Sequence, residues 1–146
     1  AVVAAHRYDV IGFMGDDHRP RTHGWDARVL ETARRHVTYC NDLLQGPNLP
    51  TQVALPSRYV TAMGYMAPRE LIHLYADNFW KRLGETTGMT YLPDVIIEHM
   101  HPVAGKAEWD DVYREVNAGE LYSADRASFE HYMATQFETD CLKVVV

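Results

Sequence analysis

The chain has 146 residues, enough for one domain with a core, and 47% of them are hydrophobic, as in ordinary globular proteins. Its 14 basic and 20 acidic residues give a net charge of -6, which argues against binding a nucleic-acid polymer through bulk positive charge. Two cysteines, Cys40 and Cys141, are too few for a disulfide framework, and no apolar run is long enough to span a membrane. The sequence therefore predicts a cytoplasmic protein.

In the first third of the chain, short apolar runs alternate with one helical pattern. Asp9–Gly15 is apolar between polar residues and predicts a fully buried strand, preceded by the end of a helix at residues 1–7. A loop rich in turn formers follows, and Trp25–Arg35 has the spacing of a helix with one apolar face. Two further short strands are predicted, at His36–Cys40 and Thr51–Leu55.

The rest of the chain predicts more helix than strand. The elements expected are a helix at Pro56–Met63 closed by Gly64, an irregular stretch at 65–76, a helix at Asp77–Leu83, a strand at Asp94–His99, and helices from Glu108 onward. The final "LKVVV" predicts either a last strand or a frayed tail. Strands that alternate with helices indicate a single α/β domain over residues 1–146, a mixed sheet flanked by helices, although the order of its strands cannot be derived.

The sequence "GDDH" places Asp16, Asp17 and His18 at the end of the first predicted strand. Proteins of the α/β class bind ligands at the carboxyl ends of their strands. Adjacent carboxylates repel each other, and a divalent cation beside them offsets that cost. Oxygen ligands favour Mg²⁺ or Mn²⁺, and an added imidazole shifts the preference toward Mn²⁺. The alternative is a solvated turn followed by a helix cap.

A second pair of candidate ligands, His99 and His101, ends the strand predicted at Asp94–His99. Residues two apart in an extended chain point to the same face, so both imidazoles can line one site. The alternative is a pair of surface histidines on an edge strand. Because both clusters follow strands, the sequence favours a metal site formed by Asp16, Asp17, His99 and His101.

Three further residues are candidates for substrate chemistry. Asp77 begins an amphipathic helix, where it is either a helix cap or a general base that takes a proton from an attacking hydroxyl. Arg19 and Arg21 can contact a phosphate through two hydrogen bonds each, or lie in a solvated loop. No nucleophile elbow, P-loop, zinc-protease helix or dinucleotide fingerprint is present in the sequence.

The order of these pieces resembles a known family. "GDDH", followed by "GYMAPRELIHLYADNFWKRLGETTGMTYLPDVIIEHMH", is similar to the second half of a GT-A fold glycosyltransferase of the inverting family that includes cellulose and chitin synthases. Asp16 and Asp17 match the paired aspartates of the DxD region, and Asp77–Asn78 with "KRLGETTG" matches the acidic helix start. The overall residue pattern of the chain also resembles that of glycosyltransferase-like proteins encoded by actinobacterial phages and their hosts.

The resemblance implies a metal-dependent enzyme that transfers a sugar from a nucleotide-diphosphate sugar to an acceptor hydroxyl with inversion. Asp17 would bind the divalent cation, Mn²⁺ or Mg²⁺, and Asp16 would support it or contact the ribose. His99 or His101 would complete the metal shell. Asp77 would deprotonate the acceptor. Arg19 and Arg21 are the candidates for binding the donor's phosphates.

The resemblance covers residues 1 to about 101 and begins after the point where the family's first strands, with the nucleotide-base pocket, would lie. We therefore expect a truncated GT-A-like catalytic domain or a piece of a larger enzyme. Two alternatives remain open. One is a degenerate, non-catalytic module that works as an oligomer or in a larger complex, since a half-domain exposes strand edges. The other is a metal-dependent hydrolase that uses the same Asp and His residues.

Overall fold

A computed structural model describes residues 8–109, 111, 114 and 119–145. The helix end predicted at residues 1–7 lies outside them, as does most of the segment 110–118. The described chain is an α/β structure, as predicted, with one mixed sheet of five strands in the order β1-β4-β3-β5-β2. The strands are β1 (Val10–Phe13), β2 (His18–Pro20), β3 (Val37–Asn41), β4 (Val53–Pro56) and β5 (Met89–His99).

The strand directions bring several chain segments to one edge of the sheet. β4 is antiparallel to both β1 and β3, β3 is parallel to β5, and β2 is antiparallel to β5. The carboxyl ends of β1, β3 and β5 therefore lie at the same edge as the first residues of β2 and β4. This is the edge where α/β proteins commonly hold ligands.

The sheet is curled, and the short link between its two outermost strands requires it. Residues 14–17 alone join β1 to β2. In a flat sheet these strands would lie about 19 Å apart, at about 4.8 Å for each strand spacing. Even a fully extended link would reach only about 17 Å, and this one contains a turn in which the His18 N–H donates to the Gly15 carbonyl.

Helices cover both faces of the sheet. They are α1 (Trp25–Ala33), α2 (Ser57–Met63), α3 (Ala76–Thr87), α4 (Gly119–Thr135) and α5 (Phe137–Val145), with short 3-10 turns at Gly46–Asn48 and Pro102–Ala104. On one face α1 packs against β3, β4 and β5, with Val95 and Ile97 beneath it. On the other face the larger core gathers around Leu55, Phe79 and Leu83, which are fully buried. None of the helices in the described ranges is long and apolar enough to cross a membrane.

The irregular segment predicted at 65–76 is held in place by a carboxylate of α4. Asp125 is buried and accepts backbone hydrogen bonds from Ile72, His73 and Leu74 at 2.6–2.8 Å. Directly after this clamp Tyr75 takes a positive φ of 67° and α3 begins. Asp125 therefore fixes the point at which the helix that carries Asp77 starts.

Three sequence predictions about the fold are wrong in an informative way. β1 is not fully buried, since it lies at an edge and exposes Phe13. The loop predicted after it contains β2, which is formed by pairing with β5 rather than by apolar residues. The end of the chain is the helix α5 rather than a strand or tail, because Phe137, Cys141 and Val144 lie on one helical face and pack into the core.

Candidate metal centre

Two histidines meet at the carboxyl edge of the sheet because β2 pairs with the end of β5. His18 lies directly opposite His99 in the antiparallel register. Side chains of such pairs are close neighbours on one face, and the two imidazoles stack with their centroids 4.2 Å apart. The turn before β2 is held by a hydrogen bond from the Met100 N–H to the Asp17 carbonyl. This bond brings the Asp17 carboxylate to the same place.

Asp17 joins the two histidines. Its Oδ1 lies 3.1 Å from His18 Nδ1, and its Oδ2 lies 2.9 Å from His99 Nε2. The three residues offer ligand atoms that all lie within 4.8 Å of one another. We call this set the Asp17–His18–His99 cluster. Asp17 and His99 were both predicted as ligands from the sequence. His18 belongs to the same "GDDH" turn as Asp17 but was not among the predicted ligands.

The donor set fits a divalent transition-metal ion. Each residue offers one ligand atom, and these atoms lie within 4.8 Å of one another, a spacing at which a group with metal bonds of about 2.1 Å can share one cation. Two imidazoles and one carboxylate favour Mn²⁺ or a softer ion over Mg²⁺, which prefers oxygen ligands. Three protein ligands also leave coordination positions for a substrate, as in catalytic rather than structural metal sites.

Behind the histidines lies a buried carboxylate that the sequence analysis did not single out. Asp42 follows β3 and is 1% exposed. Its Oδ1 accepts the backbone N–H groups of residues 44–46, and its Oδ2 accepts the Thr51 hydroxyl at 2.8 Å. Oδ2 is 3.9 Å from His99 Nδ1, and Thr51 Oγ1 is 3.3 Å from His18 Nε2. The signal that could have found Asp42 was the same as for Asp17, a carboxylate two residues after the end of a predicted strand.

The surroundings of the cluster shift the pKa values of its two histidines in opposite directions. Burial lowers the pKa of His18, and the neighbouring His99 lowers it further. Burial also acts to lower the pKa of His99, but the Asp42 and Asp17 carboxylates outweigh it and the pKa is raised. For Asp42 burial acts to raise the pKa, and the bonds and charges around the carboxylate lower it well below its usual range. Asp42 is therefore a fixed negative charge beneath the cluster.

His101 lies beside the cluster but outside the group of three. Its ring stands edge-on to His99, with the centroids 5.1 Å apart. Its Nδ1 accepts the Val103 N–H at 3.1 Å, a bond that caps the following 3-10 turn. Burial and the neighbouring His99 lower the pKa of His101. The geometry thus assigns the Nδ1 of His101 to a local turn and leaves its ring against the cluster.

Asp77 lies in the first turn of α3, where its carboxylate is partly buried. Its Oδ1 accepts the N–H of Asn78 at 2.8 Å, while the N-cap position is occupied by Tyr75. Burial raises the pKa of Asp77, and the charges of His99 and His73 oppose this change. A partly buried carboxylate with a raised pKa has the protonation behaviour expected of a general base.

The other three predicted site residues lie outside the cluster. Asp16 is exposed. Arg19 donates to the backbone carbonyls of Asp16 and His18. Arg21 donates to the Glu98 carboxylate at 2.9 Å, across the β2–β5 pair. Both arginines are therefore engaged in holding β2 and its turn in place.

Comparison with known proteins assigns neither a family nor a function to this chain. The chain matches no protein-family model, no curated protein and no solved structure.

Proposed function

We propose that this chain is a metal-dependent inverting glycosyltransferase of the GT-A type, or the catalytic and acceptor-binding half of one, that uses a nucleotide-diphosphate sugar. One observation carries the proposal. Asp17 Oδ2 and His99 Nε2, which the sequence places far apart, lie 2.9 Å from each other at the carboxyl edge of the sheet, and Asp77, which comes between them in the sequence, lies at the start of α3. The order of these three residues is the order on which the family resemblance depends.

The residues of the chain divide the chemistry between them. Asp17, His18 and His99 would hold the cation, which when bound supplies the positive charge that stabilises a departing diphosphate. Asp77 would take the proton of the acceptor hydroxyl at Oδ2, because Oδ1 already accepts the Asn78 N–H. Burial raises the pKa of Asp77 toward neutral pH. A base whose pKa lies nearer the working pH accepts a proton more readily while it is still largely ionised.

Direct turnover with matched variants tests this proposal. The purified protein is mixed with Mn²⁺ and a panel of nucleotide-diphosphate sugars, and release of nucleoside diphosphate is followed with and without candidate acceptors. We expect release that requires Mn²⁺ and is lost in Asp17→Ala but kept in Asp16→Ala, since Asp16 is exposed and outside the cluster. Absence of release, together with no effect of Mn²⁺ or nucleoside diphosphates on thermal unfolding, would show that the enzyme proposal is wrong.

A second candidate is a non-catalytic GT-A-like module that works as an oligomer or with a partner, such as a separate nucleotide-binding half. It is favoured by the edge strand β1, which exposes Phe13, and by an adjoining apolar cavity of about 540 Å³ between β1, β4 and α1. Light scattering after gel filtration distinguishes the two. A stable dimer or larger assembly without turnover supports the module, and a monomer that binds Mn²⁺ tightly and turns over a donor excludes it.

A further inference from the structure

His99 has a carboxylate on each side of its ring. Nε2 lies 2.9 Å from Asp17 Oδ2, and Nδ1 lies 3.9 Å from Asp42 Oδ2. Within the described residues, His99 Nδ1 is the one buried side-chain nitrogen or oxygen that has no hydrogen-bond partner. Ionised carboxylates only accept hydrogen bonds. The buried charge of Asp42 therefore favours the state in which Nδ1 of His99 carries a hydrogen.

Thr51 extends the influence of Asp42 to the second histidine. A threonine hydroxyl has one hydrogen, and that of Thr51 is donated to Asp42 Oδ2 at 2.8 Å. Toward His18 the same oxygen can only accept. The 3.3 Å approach of His18 Nε2 to Thr51 Oγ1 consequently requires the N–H to be on Nε2. Both histidines thus carry a hydrogen on the nitrogen that faces away from Asp17.

This arrangement leaves the inner nitrogens, His18 Nδ1 and His99 Nε2, with lone pairs in the neutral rings. Both lone pairs then face the Asp17 carboxylate, and either a proton or a bound cation between nitrogen and oxygen removes the repulsion. A histidine that ligates a metal through one nitrogen usually donates from the other to a carboxylate, carbonyl or water, which fixes its tautomer. For His99, Asp42 supplies a buried negative charge 3.9 Å from Nδ1, beyond hydrogen-bond distance, and for His18 it acts through the Thr51 hydroxyl.

We propose that Asp42 is a positioning residue that sets both histidine tautomers for cation binding, acting on His99 through space and on His18 through the Thr51 hydroxyl. The inference depends on the metal centre in the function proposed above, and it concerns residues that do not contact the cation. Three backbone N–H groups hold Asp42 rigidly through Oδ1, so that Oδ2 is presented to Thr51 and His99 without reorganisation.

The two oxygens of Asp42 have different partners, so variants can change one and keep the other: Oδ1 accepts the backbone N–H groups, and Oδ2 faces Thr51 and His99. In Asp42→Asn the amide oxygen can take the place of Oδ1 and keep the three backbone bonds, whereas the NH₂ group replaces the negative Oδ2. Thr51→Val removes the hydroxyl bridge at nearly constant shape and leaves Asp42 charged. Thr51→Ser restores the hydroxyl and is the matched control for Thr51→Val.

The experiment is calorimetric titration with Zn²⁺, a diamagnetic ion, combined with long-range ¹H–¹⁵N correlation spectra of the histidine rings at one neutral pH. We expect wild-type protein to bind Zn²⁺ through His18 Nδ1 and His99 Nε2. Asp42→Asn should bind about 10–100-fold more weakly, with a mixed tautomer at His99. Thr51→Val should change the tautomer of His18 alone, and Thr51→Ser should restore it.

The outcomes separate the two proposals. If wild-type protein binds no Zn²⁺ or Mn²⁺, the metal centre is wrong and the role of Asp42 falls with it. If the wild type binds Zn²⁺ but Asp42→Asn keeps the same affinity and the same His99 tautomer, the role of Asp42 alone is overturned. Should Asp42→Asn fail to fold, the Thr51 variants decide, because an unchanged His18 tautomer in Thr51→Val contradicts the inference.

Discussion

His18 and His99 stack against each other with their ring centroids 4.2 Å apart because they are opposite members of the β2–β5 ladder. Two imidazoles held this closely cannot both be charged without repelling each other, and their pKa values shift in opposite directions. The backbone pairing therefore places a ring whose pKa is lowered directly against a ring whose pKa is raised.

Replacement of the histidines should rank their roles in cation binding. His99→Gln removes a nitrogen that faces Asp17 at 2.9 Å, and we expect the largest loss of Mn²⁺ affinity there. His101→Gln should cost much less, because His101 lies outside the group of three and its Nδ1 is engaged by the Val103 N–H. Calorimetric titration with Mn²⁺ measures both variants. Equal losses would show that His101 is a ligand of equal weight.

Asp77→Asn should separate binding from chemistry. The amide cannot accept a proton, so we expect transfer to an acceptor to fall by about 10²–10⁴-fold, while Mn²⁺ affinity stays within a few-fold of the wild-type value. The readout is initial rate of product formation at saturating Mn²⁺. Glu85→Gln, which alters an exposed carboxylate on the same helix α3, is the matched control. A wild-type rate in Asp77→Asn would remove Asp77 from the mechanism.

The clamp between Asp125 and the segment before α3 should control stability and its dependence on acidity. Asp125→Ala leaves three backbone N–H groups without their acceptor and should lower the free energy of unfolding by roughly 3 kcal/mol. Urea unfolding measures the change. Asp125→Asn, which retains one accepting oxygen, should lose less than Asp125→Ala, and the reverse order would contradict the clamp.

The same carboxylate predicts the direction of a pH effect. Burial acts to raise the pKa of Asp125, but the three backbone hydrogen bonds outweigh it and lower the pKa below its usual value of 3.8. Because the unfolded chain binds the proton more readily, the stabilisation is complete above pH 3.8 and is lost as the pH falls through the lowered value. The difference in unfolding free energy between wild type and Asp125→Ala should therefore shrink only in that acidic range. If the difference in unfolding free energy between the two proteins stays constant down to the most acidic measurable pH, the lowered pKa of Asp125 is contradicted.

The helical end of the chain is tested by two adjacent valines. Val144 is buried in the core beside α2 and α3, whereas Val145 is 66% exposed. Val144→Asp places a carboxylate among buried apolar side chains and should lower the unfolding free energy by roughly 3 kcal/mol, because burial disfavours the charge. Val145→Asp should change it by about 0.5 kcal/mol or less. Similar losses in thermal or urea unfolding for the two variants would contradict the observed packing of α5.

The sequence predicted those parts of the fold in which local pattern and tertiary packing agree. The helix that begins at Trp25 has its apolar residues at helical spacing, and Gly64 ends α2 with a φ of 85°, as expected for a C-terminal glycine. Prediction from the sequence was wrong where tertiary packing outweighs the local preference of a residue for helix or strand. β-branched residues favour strands, yet Val144 lies in a helix because that geometry alone buries it together with Cys141.

The candidate site was predictable to the extent that its residues stand at strand ends. Asp17 and His99 were identified for this reason, and the order of the strands, which brings them together, depends on long-range pairing that local patterns do not encode. Asp42 and Thr51 were missed because a single carboxylate after a strand and a threonine at the start of a predicted strand are both common. Their part becomes visible only through the distances to His99 and His18.

The most direct test of the account is the position of the cation itself. Crystals of the wild-type protein grown with Mn²⁺, measured at the manganese absorption edge, should show one anomalous peak bonded to the Asp17 carboxylate, His18 Nδ1 and His99 Nε2. Crystals of Asp17→Ala should lack it. An anomalous map without a peak at these three side chains, or with its principal peak elsewhere, would contradict the metal centre on which the proposed glycosyltransferase function depends.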